Sequence, residues 1–168
     1  MHPIQSFFMG GSPPRVFKLN FDGASRGNPG QARFGGLVRD HEGRIRIVFM
    51  GSIGEDTNNS AKLEGLLHGA EMLIRRGFLP MIIEGDSNIL ISAAKRLLSG
   101  QKTEKISLSW RLAYRLECLR VLLLSHPATS FHHVRREANK VANCLANAGV
   151  ECGVGFRCDR LDVFAEEG

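Results

Sequence analysis

Hydrophobic and polar residues alternate near the start of the chain. Over residues 17–22 each apolar side chain is followed by a polar one, and this period of two predicts a half-buried strand that ends at Asp22. A glycine-rich turn is predicted over residues 23–30. Two further apolar segments, residues 34–39 and 45–53, are separated by a short polar turn. Together these segments predict a meander of three antiparallel strands.

The second half of the chain follows a helical period. Apolar residues recur every three or four positions in four segments, two of which follow short apolar runs typical of buried strands. The predicted elements are, in order, a helix over residues 61–76, a strand over 81–83, helices over 88–98 and 104–124, a strand over 130–134 and a helix over 138–148. Consecutive strands followed by alternating helices and strands predict an α/β fold, in which helices cover a mixed sheet.

The length and composition are those of one globular domain. At 168 residues the chain is long enough for one core and too short for two ordinary domains. Hydrophobic residues make up 43% and charged residues 23%, a balance that excludes wholesale disorder. We expect a flexible lead over residues 1–14, a folded domain over residues 15–150 and an irregular acidic tail over residues 151–168.

The charge distribution favours a polyanionic partner. The net charge is +5, although residues 151–168 carry only two basic residues against five acidic ones. The rest of the chain is therefore strongly basic, and its many arginines suit phosphate recognition because a guanidinium binds phosphate through two hydrogen bonds. Many basic proteins bind no nucleic acid, so this inference needs support from the candidate site.

Cysteine usage and the lack of long apolar segments indicate the compartment. The four cysteines, Cys118, Cys144, Cys152 and Cys158, form no C-x-x-C pair, and free thiols in a reducing compartment are expected. No apolar run approaches the roughly 20 residues of a membrane-spanning helix. We therefore expect a soluble intracellular protein, cytoplasmic or nuclear, with no membrane partner.

Two aspartates mark a candidate metal site. Asp22 and Asp86 each follow a predicted strand and stand beside a glycine. Carboxylates at the ends of neighbouring strands suit a divalent cation, since Mg²⁺ prefers oxygen ligands. An aspartate beside glycine is also a common turn residue, so each signal taken alone leaves both interpretations open.

Four segments in sequence order resemble ribonuclease H type 1. They are residues 22–30 (DGASRGNPG), 57–59 (TNN), 84–87 (EGDS) and 133–142 (HVRREANKVA). More narrowly, they resemble the reverse-transcriptase-associated RNase H-like domains common in plant genomes. The resemblance covers about residues 15–150.

This resemblance implies a fold, a chemistry and a substrate. The fold is an RNase H-like five-stranded mixed sheet of order 3-2-1-4-5 with helices on both faces. The chemistry is cleavage of the RNA strand of RNA–DNA hybrids by two Mg²⁺ or Mn²⁺ ions that four carboxylates bind. A monomer with RNA–DNA hybrid or another nucleic acid as its partner is expected.

Only two of the four expected catalytic carboxylates are present. By resemblance the first and third fall on Asp22 and Asp86, which would be the metal ligands, whereas the second position is Lys62 and the fourth is Asn143. Glu64 lies about 200° around the helix from Lys62 and should not reach the same metal. Because Lys62 opposes a bound cation and can pair with both aspartates, we expect weak or absent catalysis.

Two further residues near these motifs have competing interpretations. Glu84 precedes Asp86 by two residues and could lend an oxygen, although a strand-end surface residue is the simpler interpretation. His133 precedes Asn143 by ten residues, a spacing similar to that of a catalytic histidine in some family members, yet it falls in a predicted strand. Both interpretations stay open.

The resemblance also implies a set of nucleic-acid-binding residues in two loops. Their hydroxyl and amide groups could contact 2′-hydroxyls and phosphates. The same residue types make turns and helix caps, and both roles can hold together. The residues are Ser25, Arg26, Asn28, Thr57, Asn58 and Asn59.

Three functional hypotheses follow from these sequence features. The chain is an active ribonuclease H with unorthodox ligands, a nucleic-acid-binding remnant that does not cleave, or a retroelement-derived relic with no retained activity. A nucleotide-phosphate-binding enzyme is disfavoured because residues 23–30 match neither G-x-x-x-x-G-K-[ST] nor G-x-G-x-x-G.

Overall fold

The computed structural model describes residues 16–106, 108–148 and 155–160. The predicted lead over residues 1–14 lies outside these ranges, as does most of the predicted tail. Among the described helices, none combines the length and the apolar character needed to cross a bilayer.

Six strands and four α-helices make up the described chain. Three short 3₁₀ turns, Thr103–Lys105, Trp110–Leu112 and Arg136–Asn139, lie between them or lead into helices. The main elements are β1 (Phe17–Gly27), β2 (Gly30–Arg39), β3 (Ile45–Asp56), α1 (Asn58–Arg75), β4 (Met81–Gly85), α2 (Asn88–Leu98), α3 (Ala113–Leu124), β5 (Ser130–His133), α4 (Lys140–Ala148) and β6 (Gly155–Arg160).

The strands form one mixed sheet in the order β5-β4-β1-β2-β3-β6. β1, β2 and β3 pair antiparallel, and β4 and β5 add parallel strands on the other side of β1. The predicted five-stranded order 3-2-1-4-5 is therefore confirmed. Short turns connect β1 to β2 and β2 to β3, so these strands run antiparallel. Helices connect β3 to β4 and β4 to β5, and such crossovers allow β4 and β5 to run parallel to β1.

The outermost strand differs from the prediction. Residues 151–168 are expected to be irregular, but Gly155–Arg160 forms β6 and pairs antiparallel with Ile47–Ser52 of β3. Without β6 the backbone amides and carbonyls on that edge of β3 would lack strand partners. The local sequence alternates apolar and polar residues only over residues 156–159, a signal too short to predict a strand by itself.

The first hairpin is longer than predicted, which changes the setting of Asp22. β1 continues five residues beyond Asp22 to Gly27, pairing with β2 until Gly27 opposes Gly30. The turn therefore comprises only Asn28 and Pro29, and Gly27 has a positive φ of 76°, a conformation that glycine adopts at low cost. Asp22 thus lies inside a paired strand, and the prediction that it ends a strand is wrong.

The third helix is shorter than the predicted 104–124. α3 begins at Ala113, after two separate 3₁₀ turns. Ile106 is buried between these turns, and the Ser109 side chain accepts a hydrogen bond from the Arg111 amide. A continuous helix would lose this cap, and serine favours caps over helix interiors.

Helices cover both faces of the sheet, as predicted. Leu19 faces α1, where its side chain meets Gly69, whereas Gly35 faces α4. The main core cluster joins the sheet to α1, α2 and α3. Its largest fully buried side chains include Phe21, Phe34, Phe49, Leu63, Leu66, Leu73, Met81, Ile83 and Leu90.

Two glycines let the helices approach the sheet closely enough to build a site around Asp22. A Cβ at Gly23 would lie 2.3 Å from the Lys62 amide nitrogen, and one at Gly35 would lie 2.4 Å from the Ala146 amide nitrogen. Only glycine fits these contacts. α1 therefore starts beside Asp22 on one side, and α4 packs against the neighbouring β2 position on the other.

Candidate functional site

Asp22 is the buried centre of the candidate site. Asp22 is 2% exposed, and its Oδ1 accepts a hydrogen bond of 2.8 Å from the Gly23 amide. A buried carboxylate is costly unless partners surround it. Two side chains from opposite helices provide those partners.

Lys62 provides the first partner from the start of α1. Its Nζ lies 3.5 Å from Asp22 Oδ1 and 3.0 Å from Asp86 Oδ1, and its side chain is 21% exposed. Thr57 caps this helix by accepting a 3.2 Å hydrogen bond from the Ser60 amide, which fixes the first turn. The internal ion pair predicted from the sequence is confirmed.

Asn143 provides the second partner from α4. Its Nδ2 donates a 3.0 Å hydrogen bond to Asp22 Oδ2, so both oxygens of this carboxylate have partners. Asn143 Oδ1 in turn accepts from Asn147 Nδ2 at 3.2 Å, and Asn147 Oδ1 accepts from an Arg33 guanidinium nitrogen at 2.9 Å. Asn147 and Arg33 extend the polar network and were missed by sequence reasoning.

Asp86 lies at the end of β4, directly before α2. Its side chain is 7% exposed, and Lys62 is its ion-pair partner. Ser87 caps α2 by accepting from the Leu90 amide at 3.4 Å. His133 Nε2 lies 3.1 Å from the Asp86 carbonyl oxygen, so the imidazole borders the site through the backbone. His133 is also the last residue of β5, as the strand interpretation expects, and a catalytic role for it is an untested alternative.

Glu84 lies in a separate polar cluster. Its Oε1 pairs with Lys18 Nζ at 3.1 Å and its Oε2 accepts from Asn20 Nδ2 at 3.1 Å. Asn139 accepts from Asn20 at 3.3 Å and donates to the Phe21 carbonyl at 2.9 Å. This cluster ties the turn before α4 to β1 and so positions Asn143. Asn20 and Asn139 are positioning residues that the sequence analysis did not single out.

Glu64 is held away from the site, as expected. Its carboxylate contacts Arg115 Nε at 2.8 Å and His68 Nε2 at 3.0 Å. The hydrogen bond from His68, reinforced by the Arg115 guanidinium, holds the pKa of Glu64 below its usual value of 4.5. Glu64 therefore joins α1 to α3, on the side of α1 that faces Arg115.

The two loops predicted to bind nucleic acid are hydrogen-bonded to each other. The Ser25 amide donates to Asn58 Oδ1 at 2.7 Å, and the Asn58 amide donates to Asn28 Oδ1 at 3.1 Å. The Ser25 hydroxyl lies within hydrogen-bond distance of the carbonyl oxygens of Gly27 and Asp56 and has one proton to share between them. These contacts are those that the turn-and-cap interpretation expects, and they bring the predicted binding residues together.

The remaining predicted binding residues lie at the surface of the same loops. Arg26 and Asn28 are exposed at the tip of the first hairpin, and Asn59 is half-buried in the first turn of α1. Contact of this loop pair with nucleic acid remains a prediction.

The donor set does not suit two divalent cations. Within the described ranges, no group of three or more histidine, cysteine, aspartate or glutamate side chains could hold a metal ion. The Asp22 and Asp86 carboxylates are instead joined by the Lys62 ammonium, and Asn143 adds a neutral amide. Hard cations such as Mg²⁺ need oxygen ligands, and Lys62 supplies none.

The strand order, the crossover helices and the site at the meeting of β1, β4, α1 and α4 define an RNase H-like domain. A family model described as reverse transcriptase-like matches residues 20–149. The chain therefore belongs to the reverse transcriptase-like family of RNase H domains.

Solved structures agree with this assignment. RNase H1 from Halobacterium salinarum is 31% identical, with a TM-score of 0.69 over 82% of this chain and 98% of that chain. The RNase H domain of Mycobacterium tuberculosis rv2228c is 25% identical, with a TM-score of 0.71 over 83% of this chain and 96% of that chain. LC11-RNase H1, solved in complex with an RNA/DNA hybrid, is 26% identical, with a TM-score of 0.68 over 83% of this chain and 98% of that chain.

Sequence relatives are mostly longer than this chain. An Arabidopsis thaliana protein named as a ribonuclease H protein is 32% identical over 139 residues, which are 83% of this chain and 21% of the relative. Ribonuclease HI of Halobacterium salinarum is 33% identical over 131 residues, which are 78% of this chain and 62% of the relative. The chain thus spans about a fifth of the plant relative.

Replacing Lys62 tests whether its ion pairs stabilise the fold. In Lys62→Met the carboxylates of Asp22 and Asp86 remain buried without their cation, and we expect the free energy of unfolding to fall by about 2–3 kcal/mol. The control is Lys18→Met, since Lys18 is 44% exposed and pairs with Glu84 at the surface, where loss of the pair should cost less than about 1 kcal/mol. Urea unfolding followed by circular dichroism measures both. Equal losses in the two variants would contradict the central role of Lys62.

The lowered pKa of Glu64 predicts a pH-dependent stability. The contribution of Glu64 to the free energy of unfolding is fully present above pH 4.5, the usual pKa of the group. It is lost as the pH falls through the lower pKa of the folded state. We expect Glu64→Gln to lower the free energy of unfolding by about 1–2 kcal/mol at pH 7. The difference should shrink steadily below pH 4.5. Glu71→Gln, at an exposed position of α1, is the control, and a pH-independent difference for Glu64→Gln would refute the explanation.

Proposed function

We propose that this chain binds nucleic acid, with RNA–DNA hybrids as its preferred ligand, and cleaves them weakly or not at all. The observation that carries the proposal is the position of Lys62 Nζ, at 3.0 Å from Asp86 and 3.5 Å from Asp22. The ammonium lies between the two carboxylates that the family resemblance assigns to metal binding.

Electrostatics support impaired metal binding at this site. Two unit charges about 4 Å apart interact by roughly 4 kcal/mol at an effective dielectric constant near 20. A glutamate at position 62 would attract a divalent ion at Asp22 or Asp86. The ammonium of Lys62 repels it instead. Asn143 removes a further negative charge, so the substitutions at Lys62 and Asn143 act in the same direction.

Hybrid binding draws support from the loops and from the relatives. Ser25, Asn28 and Asn58 are held together beside the site, and the chain carries a net charge of +5. LC11-RNase H1 has been solved with an RNA/DNA hybrid, which shows that a related domain binds this ligand. Hydroxyl and amide groups are suited to distinguish RNA from DNA through 2′-hydroxyl contacts.

An active nuclease is the second candidate function. Membership of a family that includes proteins named ribonuclease H favours it. It would require metal binding that uses ligands other than Lys62 and Asn143, or a displacement of the Lys62 side chain from both aspartates.

Restoring the two carboxylates separates these functions. We expect Lys62→Glu, Asn143→Asp to cleave a labelled RNA–DNA hybrid in Mg²⁺ or Mn²⁺ at least tenfold faster than the natural chain. A triple variant that adds Asp22→Asn should lose this gain, which controls for a contaminating nuclease. Cleavage by the natural chain at a rate within twofold of the double variant would establish the active-nuclease function and overturn our proposal.

Binding is measured on the same proteins with a labelled hybrid in the absence of divalent ions. We expect the natural chain to bind, with an affinity that falls as salt rises because phosphate contacts release counterions. Lack of binding by the natural chain at low salt would contradict the proposal and leave a relic without retained activity.

A further inference from the structure

Two large aromatic side chains project into solvent where α3 begins. Trp110 is 79% exposed and Tyr114 is 80% exposed, and they lie four residues apart, on either side of the junction between the 3₁₀ turn Trp110–Leu112 and α3. Aromatic side chains usually bury most of their surface. Neighbouring exposed rings are therefore typical of a binding surface.

An arginine completes this surface and helps to hold it in place. The Arg111 guanidinium lies 5.0 Å from the centre of the Trp110 ring, within the range of a cation–π contact. Its terminal nitrogen also lies 4.0 Å from Asp56 Oδ1. We refer to Trp110, Arg111 and Tyr114 as the aromatic platform.

The aromatic platform is joined to the loop pair of the proposed hybrid-binding surface through Asp56. Arg115, one turn after Arg111, pairs with Asp56 Oδ2 at 3.3 Å. The Asp56 carbonyl accepts a 2.8 Å hydrogen bond from Ser25 Oγ. A nucleic acid bound across the Ser25 loop would therefore lie close to Trp110.

The local charge favours a nucleic acid over an apolar protein surface. Arg111 and Arg115 pair with Asp56, but Lys102 and Lys105 in the preceding segment are exposed, against one exposed acid there, Glu104. Exposed rings next to a lysine-containing segment combine the two features by which proteins hold single strands, namely attraction to phosphates and stacking with bases. Bases in a duplex already stack on each other, whereas unpaired bases are free to stack on protein rings.

We propose that the aromatic platform binds unpaired bases of a single strand that extends from a bound hybrid. Trp110 and Tyr114 stack on successive bases, and Arg111 supplies positive charge beside them. This inference rests on the proposed function, because it takes the hybrid to lie against the Ser25 loop. It predicts that the preferred ligand is a junction between hybrid and single strand rather than a blunt hybrid.

Trp110 is the only tryptophan of the chain, so its fluorescence reports on the aromatic platform alone. The full chain is titrated with a blunt RNA–DNA hybrid, with the same hybrid carrying a six-nucleotide overhang on either strand, and with the overhang sequence by itself. We expect at least fivefold tighter binding of one overhang hybrid than of the blunt hybrid, accompanied by quenching of Trp110 fluorescence.

Variants test whether the rings of Trp110 and Tyr114 cause the tighter binding of the overhang hybrid. Anisotropy of a labelled hybrid is measured for Trp110→Ala and Tyr114→Ala, with Leu124→Ala as the matched control because Leu124 is an exposed apolar residue at the other end of α3. Both ring variants should bind the overhang hybrid at least fivefold more weakly and the blunt hybrid unchanged, whereas Leu124→Ala should change neither.

The possible failures can be told apart. Blunt-hybrid binding without any gain from an overhang would overturn the inference and leave the proposed function intact. Binding of the free overhang strand with quenching, but no binding of the blunt hybrid, would support the aromatic platform and contradict the proposed function. A concentration-dependent dimer in sedimentation velocity that Trp110→Ala abolishes would assign the rings to self-association and overturn the inference.

Discussion

One ammonium group joins the two buried aspartates at the centre of the candidate site. Lys62 Nζ lies between Asp22 and Asp86, where buried carboxylates would otherwise repel each other or need another cation. Because Asn143 occupies the remaining oxygen of Asp22, the site is satisfied by the chain's own side chains. One ammonium thus offsets one of the two carboxylate charges, and the amide of Asn143 adds a neutral donor.

This internal compensation depends on how closely the helices approach the sheet. Gly23 admits the start of α1 and Gly35 admits α4, while Asn139 ties the turn before α4 to the Phe21 carbonyl. These features bring residues from distant parts of the chain within hydrogen-bond range of Asp22. The architecture of the family is thus retained, with an ion pair and an amide around Asp22.

The sheet order and the Lys62 ion pair were predicted through the resemblance to ribonuclease H type 1, because the four motifs follow the order of that family and place Lys62 at a position facing Asp22 and Asp86. Sequence reasoning failed at Asp22, since the glycine-rich segment after this residue resembles a turn although it pairs with β2. β6 was missed because apolar and polar residues alternate only over the four residues 156–159, and its pairing with β3 is a long-range contact. The contact of Arg33 with Asn147 spans 114 residues and leaves no local signal in the sequence.

Isothermal titration calorimetry with Mn²⁺ tests the role of Lys62 most directly, because it measures metal affinity independently of substrate. The natural chain is compared with the Lys62→Glu, Asn143→Asp variant at the same pH and ionic strength. The account predicts no saturable heat for the natural chain at millimolar Mn²⁺ and saturable binding by the variant. Binding of two ions by the natural chain with the affinity of the variant would contradict it.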